Sequence, residues 1–452
     1  MKIVVRLAVI ATVLAMVPSL GLAQTSTDRS AMDQFMKDTQ SQGTPPAPGT
    51  KITMQNWRDY KNFMPFGMTK FFEGQYFWKM PSDIEIDVGP TVMGNLPKTF
   101  VEATEKYGTQ TQVAVLPNGH YRIDNYQGGV PFPNPQEPHQ GFKMLANLFF
   151  AYVPALYVNT PQNYGSVWIQ DRYGNISSDT FDVVYRQSAY NTDPGFPKEE
   201  TYAPGTWYTE WAMQETPEQA RYTASLSLFY IDQEANPFPD TFVFVPALRR
   251  SLRLSNTSRC SPVFGLDWTY DDAKGNGFNG STSIYDGNYL GDRKVLALTH
   301  FNSDGALFPQ NYFMPIGFPK PSWGNWEIRD TSVLDVHRIP SEAAGYCYGN
   351  RVMYIDKELW WSTWSDLYDS NHKLWKMQFW GAEVRDLPGS GLSRTVGGVA
   401  AVSWDIQNSH ATYWSGMGNP DKREPYIDAQ APKEWHDGVR YGSPSGLMQI
   451  LR

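Results

Sequence analysis

The stretch Tyr354–Trp380 reads YIDKELWWSTWSDLYDSNHKLWKMQFW, and its pattern decides the fold. Leu359–Tyr368 is dense in Trp, Thr, Tyr and Leu, which suit a pleated, half-buried surface. Asp369-Ser370-Asn371-His372 is turn chemistry, because Asp, Ser and Asn bond their own backbone and Asn tolerates a left-handed conformation. Leu374–Trp380 resumes an apolar/polar alternation, with Trp375, Met377 and Phe379 on one parity and Lys376 and Gln378 on the other. The pattern predicts a β-hairpin. Its register stays open, since loops differing by one residue bring opposite parities together. Its aromatic load is too heavy for a strand with one wetted face.

Outward from the hairpin the chain continues in short strands. Towards the N-terminus the pattern predicts Trp168–Tyr173, Thr180–Arg186, Ala224–Ile231, Thr241–Val245, Arg249–Leu254, Lys294–Thr299, Trp326–His337 and Arg351–Ile355. Val399–Trp404 and Ala411–Trp414 follow it. Asp267–Gly291, rich in Gly, Asn and Asp, reads as one long loop. Before the strands, Pro97–Tyr107 reads as a helix, with Pro at its first turn and Gly108 at its exit. Phe142–Val153 reads as an apolar helix that packs on a sheet, and Met54–Met64 as a helix stopped by Pro65. Glu73–Pro81 is strand-like. Gln110–Val115 and His120–Tyr126 flank the turn Pro117-Asn118-Gly119. No fixed-period repeat and no linker divides the chain, so residues 52–452 are expected to form one domain behind a flexible arm at 24–51, within which Asp33–Thr39 reads as a short amphipathic helix. The expected class is α+β, a large antiparallel sheet with a few helices.

The first 23 residues form a separate segment. Lys2 and Arg6 precede the apolar run Leu7–Val17, and Gly21-Leu22-Ala23 supplies small residues, the layout of a secretory signal peptide cleaved after Ala23. The run is shorter than the roughly 20 residues a membrane span needs. No Cys follows to carry a lipid anchor. The expected location is outside the cytoplasm, and the resemblance given below narrows it to the periplasm. With 38 basic and 46 acidic residues scattered through the chain, no concentrated basic face points to nucleic acid. The two cysteines, Cys260 and Cys347, are read as one disulfide in an oxidising compartment, the alternative being two buried thiols.

Tyr354-Ile355-Asp356, Trp360-Trp361, Tyr368-Asp369-Ser370-Asn371 and Lys373-Leu374-Trp375-Lys376 together resemble the strand–turn–strand unit of periplasmic lipoprotein-sorting carriers. Further blocks resemble the family called domain of unknown function 1329. They are Asn125-Tyr126-Gln127-Gly128-Gly129 with Pro131–Pro135, Val245-Pro246-Ala247-Leu248-Arg249-Arg250, and Asp271-Asp272 with Gly277-Phe278-Asn279-Gly280. The resemblance implies an exported protein whose curved sheet, a half-open barrel, wraps an apolar cavity. It implies no catalytic residues. It also implies a place beside transporters of the resistance–nodulation–division type or outer-membrane proteins.

The chemistry-bearing residues give few motifs. Seven scattered histidines form no HExxH or close pair, and Gly442-Ser443-Pro444-Ser445-Gly446 misses the nucleophile-elbow spacing. No cofactor, metal or catalytic residue is expected. Asp267, Asp271, Asp272, Asn276 and Asn279 could offer oxygen ligands to Ca²⁺, but their spacing is not an EF-hand's. Asx turns in a solvated loop are the preferred reading. The expected function is to bind or carry a lipid-like or other hydrophobic molecule, with Trp360, Trp364, Trp375, Phe379, Phe242 and Phe244 as candidate wall residues. For each of these the competing reading is protein core. Trp360 and Trp364 share a parity, as do Trp375 and Phe379. A glycan-binding protein or carbohydrate-active enzyme is the alternative, because Trp and Tyr also stack on sugars and catalytic carboxylates pair in space.

Overall fold

The computed structural model describes residues 28–160, 167–255, 259–274, 276–299, 308–387, 391–415 and 425–451. The signal-peptide expectation for residues 1–23 lies outside them. Fifteen strands form one curved, open antiparallel sheet. Its path starts at the edge strand Arg250–Arg253. It continues through Asp240–Val245, Ala224–Tyr230, Thr206–Thr216, Ile176–Gln187 and Val167–Gln170. Next come His410–Ser415, Gly391–Asp405, Leu374–Leu387, Trp361–Asp369 and Tyr348–Asp356. Asn325–Arg338 and the second edge, Tyr285–Thr299, complete it. Leu156–Asn159 and Tyr426–Ile427 pair beside this path.

Both faces of the sheet are buried, and strand alternation sorts the side chains between them. Trp380 and Ala401 enter the core on the first face, whereas their neighbours Phe379 and Val402 enter the core on the second. The first face is covered by helix α4 (Gln140–Phe149) and by residues 259–284. The second face is covered by an N-terminal segment carrying α1 (Asp28–Asp38) and α2 (Phe66–Glu73), and by the C-terminal Tyr441 and Leu447. Helix α3 (Lys98–Tyr107), expected from Pro97, buries Phe100 in the first core. The Gln112–Val115/Tyr121–Asp124 hairpin forms its own two-stranded sheet.

Several sequence boundaries shift. Helix α1 lies inside the stretch expected as a flexible arm and starts five residues before the short helix expected over Asp33–Thr39. Its Met32 is fully buried, Arg29 pairs with Asp335 at 2.6 Å, and Asp28 accepts from the Leu374 N–H at 2.9 Å. Pro65 ends one short helical turn and starts α2, because proline lacks only a donor that a first turn leaves unpaired. Glu73–Pro81 is therefore a helix end and turn, not a strand. The loop expected over Asp267–Gly291 ends at the strand beginning with Tyr285. The strand Thr206–Thr216 has no counterpart in the sequence reading, since Trp207, Tyr208 and Trp211 are apolar on both parities.

Candidate functional site

A pocket of about 90 Å³ lies between the first face of the sheet and residues 263–274. Val167, Phe181, Val183, Tyr185, Ala212, Trp380 and Trp414 line the sheet side. Val263, Phe264, Leu266, Trp268 and Ala273 line the other side. Phe181, Val183 and Tyr185 alternate along one strand, so one face of that strand supplies all three. The covering segment turns back on itself at Val263–Gly265. Phe264 (φ 49°) and Gly265 (φ 83°) adopt left-handed backbone, and the Phe264 ring meets Phe181 at 4.9 Å. Glycine relieves the strain of that conformation at one of the two positions.

The covering segment is held to the sheet by polar contacts and one covalent bond. Cys260 and Cys347 form a disulfide, with Cα atoms 5.7 Å apart. Asp271 accepts from Arg259 (2.6 Å) and Arg338 (3.1 Å), and Asp272 from Arg351 (2.9 Å) and Tyr348 (2.8 Å). The guanidinium groups overcome burial and hold the Asp271 carboxyl down at about 2. Asp267 accepts from Thr412 (2.7 Å) and lies 2.8 Å from His410 Nδ1, and Lys376 donates to its carbonyl oxygen at 2.6 Å. The expectation of solvated Asx turns is thereby corrected: Asp271, Asp272, Asn276 and Asn279 are buried, and their oxygens and amides bond arginine, tyrosine, the Glu210 carboxylate and backbone.

A carboxyl and an amine sit in the pocket wall, those of Glu210 and Lys274. Lys274 donates to the Phe149 carbonyl oxygen at 2.7 Å and lies over the rings of Phe149, Tyr208 and Trp207. Burial pushes its amine down to about 7. Glu210 accepts from Asn279 at 2.8 Å and faces Tyr185 across the ladder. Burial pushes its carboxyl up to about 7, against the pull of Asn279, Arg259 and Lys274.

None of the six aromatic candidates lines this pocket. Trp364 and Phe379 are direct cross-strand partners, but both point into the second-face core, where Phe71 and Trp404 cover Trp364. Trp360 sits at positive φ (55°) before its strand and joins the first-face core, on the side opposite Trp364. Trp375 is the extra residue of a bulge between the Leu367–Lys376 and Tyr368–Leu374 pairs. It therefore leaves the face of Met377 and Phe379, packs against Tyr348 and donates to Asp405 at 2.9 Å. Phe242 and Phe244 belong to a third core near the other end of the sheet. The shared faces expected for Trp360 with Trp364 and for Trp375 with Phe379 are undone by these local irregularities.

The pocket residues that the sequence reading missed left faint signals. Val263-Phe264-Gly265-Leu266 is an apolar cluster inside a polar loop, and such a cluster needs cover. Glu210 is a lone charge within TWYTEWAM.

A family model described as "Protein of unknown function (DUF1329)" matches residues 51–438. Among solved structures, the chain is similar to a DUF1329 family protein from Desulfovibrio piger. The TM-score is 0.44 and the identity 14%, covering 68% of this chain and 100% of that one. It is also similar to an outer membrane lipoprotein-sorting protein domain from Vibrio parahaemolyticus (TM-score 0.41, 14% identity, 63% of this chain and 91% of that one). A LolA superfamily protein from Nitrosomonas europaea follows at TM-score 0.33 and 12% identity, with 64% and 97% covered. No curated protein matches the chain.

Proposed function

The chain belongs to the DUF1329 family, and from that premise we propose that it is a periplasmic protein that binds and carries an apolar molecule in the pocket under residues 263–274. The observation that carries this reading is the wall itself, which is almost wholly aliphatic and aromatic apart from Glu210 and Lys274. The apparent export signal in residues 1–23 and the disulfide support the compartment. Among the described residues no helix is long and apolar enough to cross a membrane.

The pocket of about 90 Å³ is small beside the roughly 300–1,000 Å³ of sites that enclose a whole small molecule. A long chain therefore enters only when the Val263–Leu266 turn lifts from Phe181. The same movement releases the cargo, and the partner implied is a transporter of the resistance–nodulation–division type or an outer-membrane protein. No enzymatic step is part of this reading.

Mature protein purified from membranes is expected to yield a lipid or other apolar molecule on solvent extraction and mass spectrometry. It is also expected to bind N-phenyl-1-naphthylamine saturably, and Ala212→Phe, which fills the pocket wall, should remove that binding. No bound molecule and no probe binding would overturn the carrier reading. Saturable oligosaccharide binding with Trp quenching would put the glycan reading in its place.

A further inference from the structure

We propose that the groove beside the Gln112–Val115 strand binds an extended, acidic segment of a partner polypeptide, which adds a third strand to the Gln112–Val115/Tyr121–Asp124 hairpin. This inference does not rest on the apolar pocket under residues 263–274.

The hairpin leaves one edge unpaired. The Leu116 N–H donates to the His120 carbonyl oxygen at 2.8 Å, which fixes the phase of the ladder. In an antiparallel ladder the bonded pairs recur at every second residue. In the observed register these pairs are Ala114 with Arg122 and Gln112 with Asp124. The N–H and C=O groups of Val113 and Val115 are therefore directed to the outer edge. Among the described residues no other strand pairs with that edge. Gln112 and Val115 are exposed, and an open edge of this kind is a template for another strand.

A groove of about 470 Å³ runs along this edge, within the roughly 300–1,000 Å³ of ligand sites. Thr111, Gln112 and Val113 line it in succession, so it meets the backbone of the strand and not a single side-chain face. Residues 132–143 supply the other wall, with Pro133 and Pro138 on it. Proline has no N–H, which makes this wall a poor strand partner, and the chain does not close its own edge. Gly108 and Pro133 meet at one end: a methyl group on Gly108 would lie 2.5 Å from the Pro133 ring.

Charge selects the occupant. The lining carries Lys143 and His139 and no carboxylate; Glu137, although between two lining residues, is not among them. Lys143 donates to the Gln136 carbonyl oxygen at 2.8 Å, and no carboxylate pairs with it among the described residues. An ammonium group has three donors, so it has capacity left for an acidic side chain on an added strand. A second copy of this chain would bring another basic groove to the first. Strand addition thus supplies affinity through the backbone, and Lys143 supplies the preference for acidic sequences.

The test uses the mature protein and three fluorescein-labelled peptides, read by polarisation. One alternates Val and Glu, one alternates Val and Lys, and the third is the Val–Glu peptide N-methylated at its backbone amides. The Val–Glu peptide is expected to bind saturably, and the other two about tenfold more weakly or worse. Val113→Pro removes an outward N–H that an edge strand tolerates losing, and should weaken the Val–Glu peptide about tenfold. Lys143→Gln should weaken it about two- to fivefold and leave the Val–Lys peptide no weaker. Should Val113→Pro fold poorly, the N-methylated peptide gives the same reading on the wild type. No binding of the Val–Glu peptide, equal binding of its N-methylated form, or a preference for the Val–Lys peptide would overturn the inference. So would a dimer in sedimentation that Val113→Pro dissolves, which would give the edge to a second copy.

Discussion

Trp364 shows how one residue can look like a ligand wall and be core. Its indole N–H donates to Asp366 at 2.8 Å, and its ring packs against Phe71 and Trp404 on the face opposite the pocket. Trp364→Ala is expected to cost roughly 3–5 kcal/mol of stability, read by urea denaturation, because it leaves a cavity in a packed core. Naphthylamine affinity of the folded fraction should stay unchanged; a parallel loss of affinity would place the binding site on the second face. Asp366 beneath it accepts from the Gly67 N–H at 3.0 Å, at the start of α2. A methyl group on Gly67 would lie 2.0 Å from an Asp366 oxygen. Gly67→Ala is therefore expected to lower stability by about 1–3 kcal/mol, as overpacking does, and an unchanged urea midpoint would contradict the close approach of α2 to the sheet.

At the scale of elements, residues 259–284 are the piece that makes the pocket. They cross the first face and leave a space where Val263, Phe264 and Leu266 arch over Phe181. Composition marks Asp267–Gly291 as irregular, which holds only up to the strand that begins at Tyr285, and it cannot show that the irregular piece is interior. Its aspartates are buried because arginines distant in sequence, Arg338 and Arg351, arrive on neighbouring strands. The disulfide spans a sequence separation of 87 residues and ties this piece to the start of the Tyr348–Asp356 strand. Chain entropy puts its contribution on the order of 4 kcal/mol. Cys260→Ser with Cys347→Ser is expected to lower the thermal midpoint and to weaken naphthylamine binding, because the pocket's cover loses its covalent tether. A lowered midpoint with unchanged binding would show that the Asp271 and Asp272 ion pairs hold the cover alone.

At the scale of the whole molecule, the balance of buried charge sets a pH dependence. Burial, the largest cause in each case, raises the carboxyls of Asp182, Glu210 and Asp366 to about 7 and that of Asp428, which lies near Asp193, to about 8. A carboxyl raised in the fold favours the folded state at low pH. That stability is lost as pH rises from the unfolded value, near 4, through the folded value. His410, raised by its bond to Asp267, acts in the same direction. Asp271, held at about 2, loses its contribution only below about pH 4, and Lys274, lowered to about 7, changes the balance only above that pH. The urea midpoint is thus expected to be higher at pH 5 than at pH 7. Asp366→Asn should shrink the difference by up to about 2 kcal/mol, and a midpoint that rises towards pH 7 would refute the account. The sequence by itself determined the α+β class and most of the strands from Trp168 to Trp414, because strand alternation and turn chemistry are local properties of neighbouring residues. It also marked helix α3 and the half-cystine pair. It did not determine which face each aromatic serves. The bulges at Trp375 and between Tyr354 and Ile355 reverse the parity within a strand, and pairing with a neighbouring strand sets them. Only the tertiary structure decided where the pocket lies, since its wall joins Val167, Glu210, Trp268, Trp380 and Trp414 from separate strands and one covering loop. Apolar residues must be buried, a condition the sequence states, but what they are buried against depends on segments that meet only in the fold.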